Sequence, residues 1–111
     1  MNVQVDWKQA EPGVQRKITT VGKGMMSMLV KFEAGAEGYE HSHPHEQLTL
    51  VVKGAFDFKI DGQTTRVNAG ESIYIPSNAK HGVQAIEEGM LFDTFTPVRE
   101  DLLEKDGVKL D

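Results

Sequence analysis

The sequence predicts an all-β protein: one small domain of short antiparallel strands, closed as a barrel or sandwich. Three observations carry that expectation. Eleven glycines and four prolines interrupt the chain at short intervals, and most segments between them alternate apolar and polar residues, the period of a half-buried strand. Asp61-Gly62 stands between two such alternating runs, the pattern of a tight β-hairpin turn. At 111 residues the chain has the length of a single domain, residues 1–111, and strands at this spacing favour a sandwich or barrel.

The elements follow in order. VQRKITT (14–20) and MMSMLVKF (25–32) read as strands, the second with Met26, Met28, Val30 and Phe32 on one face. The methionines of that run are expected to fill the core, where a flexible thioether adapts to irregular gaps. QLTLVVK (47–53) is more continuously apolar and reads as a strand buried on both sides. FDFKI (56–60) and QTTRV (63–67) flank Asp61-Gly62, which favours a type I′ turn. ESIYIP (71–76), HGVQAI (81–86) and MLFDTF (90–95) continue the alternation, separated by turns at Ser77-Asn78 and Glu88-Gly89. After Pro97, VREDLLEKD is expected to make a short C-terminal helical turn, and GVKLD (107–111) to be a loose tail.

Composition removes several functions. A net charge of −5 leaves no basic footprint for nucleic acid. No apolar run approaches the ~20 residues of a membrane span, and MNVQVDWKQAEPG has no apolar h-region, so a cytoplasmic protein is expected. With no cysteine, thiolate metal sites and disulfides are excluded.

Three of the four histidines fall within HSHPHEQ, residues 41 to 47. If the chain is extended there, His41 and His43 project to one face, as two imidazoles reaching one ion would require. Gln47, Thr49 and Val51 share a face by the same alternation, so a polar amide heads an apparently buried strand and wants a partner. An H-x-H alone is compatible with an exposed polar loop as well as with a metal site. The remaining histidine, His81, heads another predicted strand just after a proline-containing turn.

The glycines complete a pattern. Gly35, five residues, His41, one, His43, three, Gln47, six, Gly54 resembles the first cupin motif (35–54), with glutamine where many members carry glutamate. Gly70, five residues, Pro76, one, Asn78, two, His81 resembles the second (70–85), with Asn78 for the usual glycine and Ala85 for the closing asparagine. Taking His43 and His45 as the histidine pair would put Glu37 at the leading glycine, so only His41 and His43 fit the register. The resemblance implies a small cupin β-barrel of the jelly-roll type. It also implies one divalent transition metal ion (Zn, Ni, Mn, Fe or Co) held by His41, His43, Gln47 and His81. Imidazole suits such ions, and four neutral ligands would leave the ion's full charge available to an anionic substrate.

GVQRK, VVKGAFDFKIDG and LFDTFTPVREDLL extend a closer resemblance, to the KdgF-type pectin-degradation cupins, over nearly the whole chain. That resemblance implies ring opening and ketonisation of 4,5-unsaturated monouronates, small anionic sugars released by pectin or alginate lyases. It gives linear 5-keto-4-deoxyuronate as product and implies a homodimer. It further implies active-site roles for Asp93, Phe95 and Arg99: proton shuttle, ring wall and carboxylate clamp. The family has four residues between its second histidine and glutamine; this chain has three. Two alternatives are a metal-dependent cupin dioxygenase, which the neutral Gln47 disfavours, and a non-catalytic sugar-binding cupin.

Overall fold

The computed structural model describes residues 3–109. Among them lie ten strands and one helix: β1 (Lys8–Glu11), β2 (Val14–Val21), β3 (Met26–Phe32), β4 (Glu37–His41), β5 (Glu46–Lys53), β6 (Ala55–Ile60), β7 (Gln63–Asn68), β8 (Ser72–Ile75), β9 (His81–Ala85), β10 (Gly89–Thr96) and α1 (Glu100–Lys105). The strands form a six-stranded sheet in the order β1-β2-β3-β10-β5-β8 and a four-stranded sheet in the order β4-β9-β6-β7. Every pairing is antiparallel. Among the described residues no helix is long and apolar enough to cross a membrane.

Alternation builds the interior. Inward residues of β3 (Met26, Met28, Val30, Phe32) and β10 (Leu91, Asp93, Phe95) are buried, with partly exposed residues between them. Phe32 of the larger sheet meets Phe56 of the smaller one edge to face, ring centroids 5.1 Å apart, a favoured aromatic geometry. Of the methionines expected in the core, Met26 and Met28 are there; Met25, just before β3, is exposed.

The hairpin is where the sequence puts it. Asp61 and Gly62 join β6 to β7, and both have positive φ, +46° and +85°, as a type I′ turn requires. Gly54, the closing glycine of the first motif, has φ +88°, and a Cβ there would meet the Glu88 carbonyl oxygen at 2.7 Å. Position 54 therefore requires glycine on both backbone and steric grounds.

Two expectations are corrected. β5 is buried on one face only: Gln47, Thr49 and Val51 point inward, whereas Leu48, Leu50 and Val52 are exposed. Its continuous apolar run reflects an apolar outer sheet face, not burial on both sides. The tail is also less loose than expected, since the Val108 N–H bonds to the Leu103 carbonyl and its side chain packs against the core. Leu110 and Asp111 lie outside the described residues. The end of α1 is tied to β2 by a two-pronged pair, Arg16 donating to the Asp106 carboxylate at 2.9 and 2.7 Å.

Candidate metal centre and active-site cavity

The histidines converge by a route that strand alternation does not describe. β4 ends at His41, directly opposite His81 at the head of β9. His43 lies in the turn leading into β5 and is buried. The segment 42–45, which passes from the smaller sheet to the larger one, brings the His43 ring to the other two: centroids are 4.3 Å apart for His41–His81, 4.8 Å for His43–His81 and 5.5 Å for His41–His43. One ring nitrogen from each lies within 4.8 Å of the others, a grouping able to hold a metal ion.

Backbone carbonyls orient all three rings. Nδ1 of His41 donates to the Tyr39 carbonyl at 2.8 Å, Nδ1 of His43 to that of His45 at 3.1 Å, and Nδ1 of His81 to that of Ala79 at 2.9 Å. Each bond fixes the tautomer and leaves Nε2 as the free base, the usual supporting arrangement for a metal-binding imidazole. Burial pushes His43 down to about 4, helped by the nearby charges of Arg99 and His81, and burial also lowers His81. Both rings are therefore neutral at pH 7.

This state leaves two unmet requirements. Nε2 of His81 is buried with no hydrogen-bond partner among the described residues. Nε2 of a neutral His43, its proton already on Nδ1, faces Oε1 of Gln47 at 3.1 Å, so two lone pairs oppose each other. A cation between them satisfies both, and the donor set of imidazoles and an amide oxygen suits a first-row divalent ion. His45 stays outside the group: its carbonyl supports His43, and its own ring packs beside that of His43 at 5.4 Å.

The register between β5 and β10 sets the rest of the site. Gln47 lies opposite Phe95, and Thr49 opposite Asp93. The Gln47 amide donates to Thr49 Oγ1 at 2.9 Å, and Thr49 donates to Asp93 Oδ1 at 2.6 Å. The partner that the buried amide wants is thus Thr49, two residues along the same face. Burial raises the Asp93 carboxyl to about 6, outweighing the lowering by bonds from Thr49 and Gln47 and by the charge of Arg99. Phe95 is buried, its ring edge-on to His43 at 5.7 Å. The Arg99 guanidinium sits 5.0 Å over the Phe95 ring, a cation–π distance.

Arg99 precedes α1 and is largely buried, not solvated as an arginine after a proline bend usually is. It grips Asp101 with Nε and Nη2 at 3.2 and 2.8 Å, a contact that holds the Asp101 carboxyl down at about 2. His41, Gln47, His81, Asp93, Phe95 and Arg99 all line one cavity of about 430 Å³. Sequence reasoning missed Asp101 and gave Thr49 no role. Alternation from Gln47 could have flagged Thr49, whereas nothing in the sequence marks Asp101 as a partner of Arg99.

The Asp93 carboxyl makes stability depend on pH. Its folded pKa lies above the ordinary value of 3.8, so its contribution is fully present below about 4 and is lost as pH rises through about 6. In metal-free protein, Asp93→Asn should therefore be more stable than wild type at pH 8, by up to about 3 kcal/mol. The advantage should vanish near pH 4. Chemical denaturation of both proteins across this range, with chelator present, checks it; a pH-independent difference would contradict the buried-carboxylate account.

Known proteins share this fold. Residues 28–93 match the cupin domain family. The chain is 36% identical over 102 residues to the pectin degradation protein KdgF of Dickeya dadantii, covering 90% of this chain and 93% of that protein. The structure of KdgF from Halomonas sp. superposes with a TM-score of 0.84 at 39% identity, covering 88% of this chain and 91% of that one. An RmlC-like cupin from Shewanella frigidimarina gives 0.83 at 35% identity, covering 89% of each chain. The chain belongs to the cupin domain family and, within it, to the group that includes the KdgF pectin-degradation proteins.

Proposed function

We propose that this protein is an enzyme that opens the ring of 4,5-unsaturated monouronates and delivers the linear 5-keto-4-deoxyuronate. One observation carries the reading beyond family membership. A buried carboxyl poised near 6 and a buried guanidinium line the same cavity as the histidine cluster. A proton-transfer group tuned close to neutrality and a clamp for an anion are what this isomerisation needs.

His41, His43, His81 and Gln47 would hold one divalent transition ion, which when bound supplies Lewis-acid polarisation of a sugar oxygen. Arg99 binds the uronate carboxylate. Asp101 occupies only its Nε and one side of Nη2, leaving the remaining N–H groups of the fork for the substrate. Phe95 walls the ring and, through its contact with Arg99, holds that fork in place. Asp93 takes the proton of the anomeric hydroxyl as C1 becomes a carbonyl and the C1–O5 bond breaks, its electron pair passing to O5. The resulting enolate at C5 then takes a proton at C4, and Asp93 returns to its carboxylate. No atom is gained or lost, so no co-substrate is needed. Among the described residues the histidine group includes no carboxylate, which disfavours the iron oxygenase alternative with its two histidines and one carboxylate.

The assay follows the linear keto product by proton NMR from lyase-generated unsaturated monouronate, with the uncatalysed ring opening subtracted. Asp93→Asn should cut kcat by about 10²-fold or more with metal content intact. Arg99→Lys should chiefly raise KM, because a point charge cannot copy the planar fork. Metal-loaded wild type no faster than the background would remove the enzyme and leave a sugar-binding cupin.

We also propose that the protein works as a homodimer joined through the outer face of the six-stranded sheet. Leu48, Leu50 and Val52 of β5 and Tyr74 of β8 are 40–55% exposed there, and Leu48 pairs directly with Tyr74. Contiguous apolar surface of this kind marks an interaction site. Glu46 stands at one end of the patch and Lys31 at the other, so a second copy turned end for end brings unlike charges together. Sedimentation velocity should give twice the chain mass for wild type and the monomer mass for Leu50→Glu. A monomeric wild type at about 50 μM, a concentration above the Kd of most specific pairs, would contradict the assignment.

A further inference from the structure

Thr49 is fully buried between Gln47 and Asp93, with 0% exposure, so water cannot serve its hydroxyl. That hydroxyl lies between the Gln47 amide nitrogen at 2.9 Å and the Asp93 carboxylate oxygen at 2.6 Å. The directions follow from chemistry. An amide NH₂ only donates and an ionised carboxylate only accepts. The single proton of Thr49 therefore goes to Asp93, and its lone pair receives Gln47. A glutamine amide has two ends of nearly equal shape, only one of which can ligate a cation. The Thr49 lone pair accepts only the nitrogen end and so turns Oε1 toward His43, where it stands 3.1 Å from Nε2.

We infer that Thr49 is a positioning residue: its hydroxyl sorts the two ends of the Gln47 amide and holds the oxygen toward the histidine cluster. The inference rests on reading His41, His43, Gln47 and His81 as one set of metal donors. It is separable from a packing role, since valine keeps the shape of threonine and loses the hydroxyl, whereas serine keeps the hydroxyl and loses a methyl. If Thr49 only fills space, valine is the better replacement. If it orients the amide, serine is.

The test is titration of Zn²⁺ into metal-free protein, with melting temperatures measured separately in chelator. Thr49→Val should weaken Zn²⁺ binding by about 10–100-fold, the usual effect of removing a group that orients a ligand. Thr49→Ser should stay within about 3-fold of wild type, a fraction of that effect, even if it melts at a lower temperature. Valine binding as tightly as wild type, or serine binding as weakly as valine, would overturn the inference. Should the valine variant fail to fold, the serine variant decides alone: retained affinity supports the role, and a loss of about 10-fold or more refutes it. His43→Ala is run alongside; if it matches wild type in Zn²⁺ affinity, the donor set itself is wrong and Thr49 falls with it.

Discussion

The antiparallel register between β5 and β10 is the constraint on which the site depends. It places Gln47 opposite Phe95 and Thr49 opposite Asp93, with all four side chains facing inward. A slip of β5 by one residue would turn Gln47 and Thr49 outward and bring Leu48 and Leu50 in. Hydrophobic patterning alone resists such a slip weakly here, because the outer row of β5 is also apolar. The buried chain from Gln47 through Thr49 to Asp93 adds the missing discrimination. Its amide, hydroxyl and carboxyl satisfy one another only in the observed register, and unpaired they would each carry a desolvation cost of roughly 1–3 kcal/mol.

Around that register the cavity is arranged as one basic and one acidic function beside a neutral donor group. Burial keeps His43 and His81 uncharged at neutral pH while it pushes the Asp93 carboxyl up toward it. The same desolvation thus disfavours charge on the imidazoles and on the carboxyl alike. Arg99 is paired at 2.8 Å with Asp101, whose side chain is the more exposed of the two. The cost is a carboxylate at position 93 that the apo fold tolerates poorly, the usual tension between stability and an active site.

Much of this was legible in the sequence, for identifiable reasons. Asp61-Gly62 announced its hairpin because few residue pairs tolerate two positive φ angles in succession. The inward placement of Asp93 and Phe95 followed from strict alternation along β10. Three features were hidden. The apolar outer face made β5 look buried on both sides. His41 ends β4 and His43 lies beyond it, outside any strand, so strand alternation does not account for their approach. The Arg99–Asp101 grip depends on the backbone path after Pro97, which local sequence does not encode in any recognisable pattern.

In the proposed site one ion would be shared by side chains from β4, the segment after it, β5 and β9. Anomalous diffraction from crystals of metal-loaded protein, recorded on either side of the metal's absorption edge, tests it most directly. A single strong peak is expected about 2.0–2.3 Å from Nε2 of His41, His43 and His81 and from the side-chain oxygen of Gln47. A peak at another site, or one at this site with His81 or Gln47 turned away from it, would contradict the account.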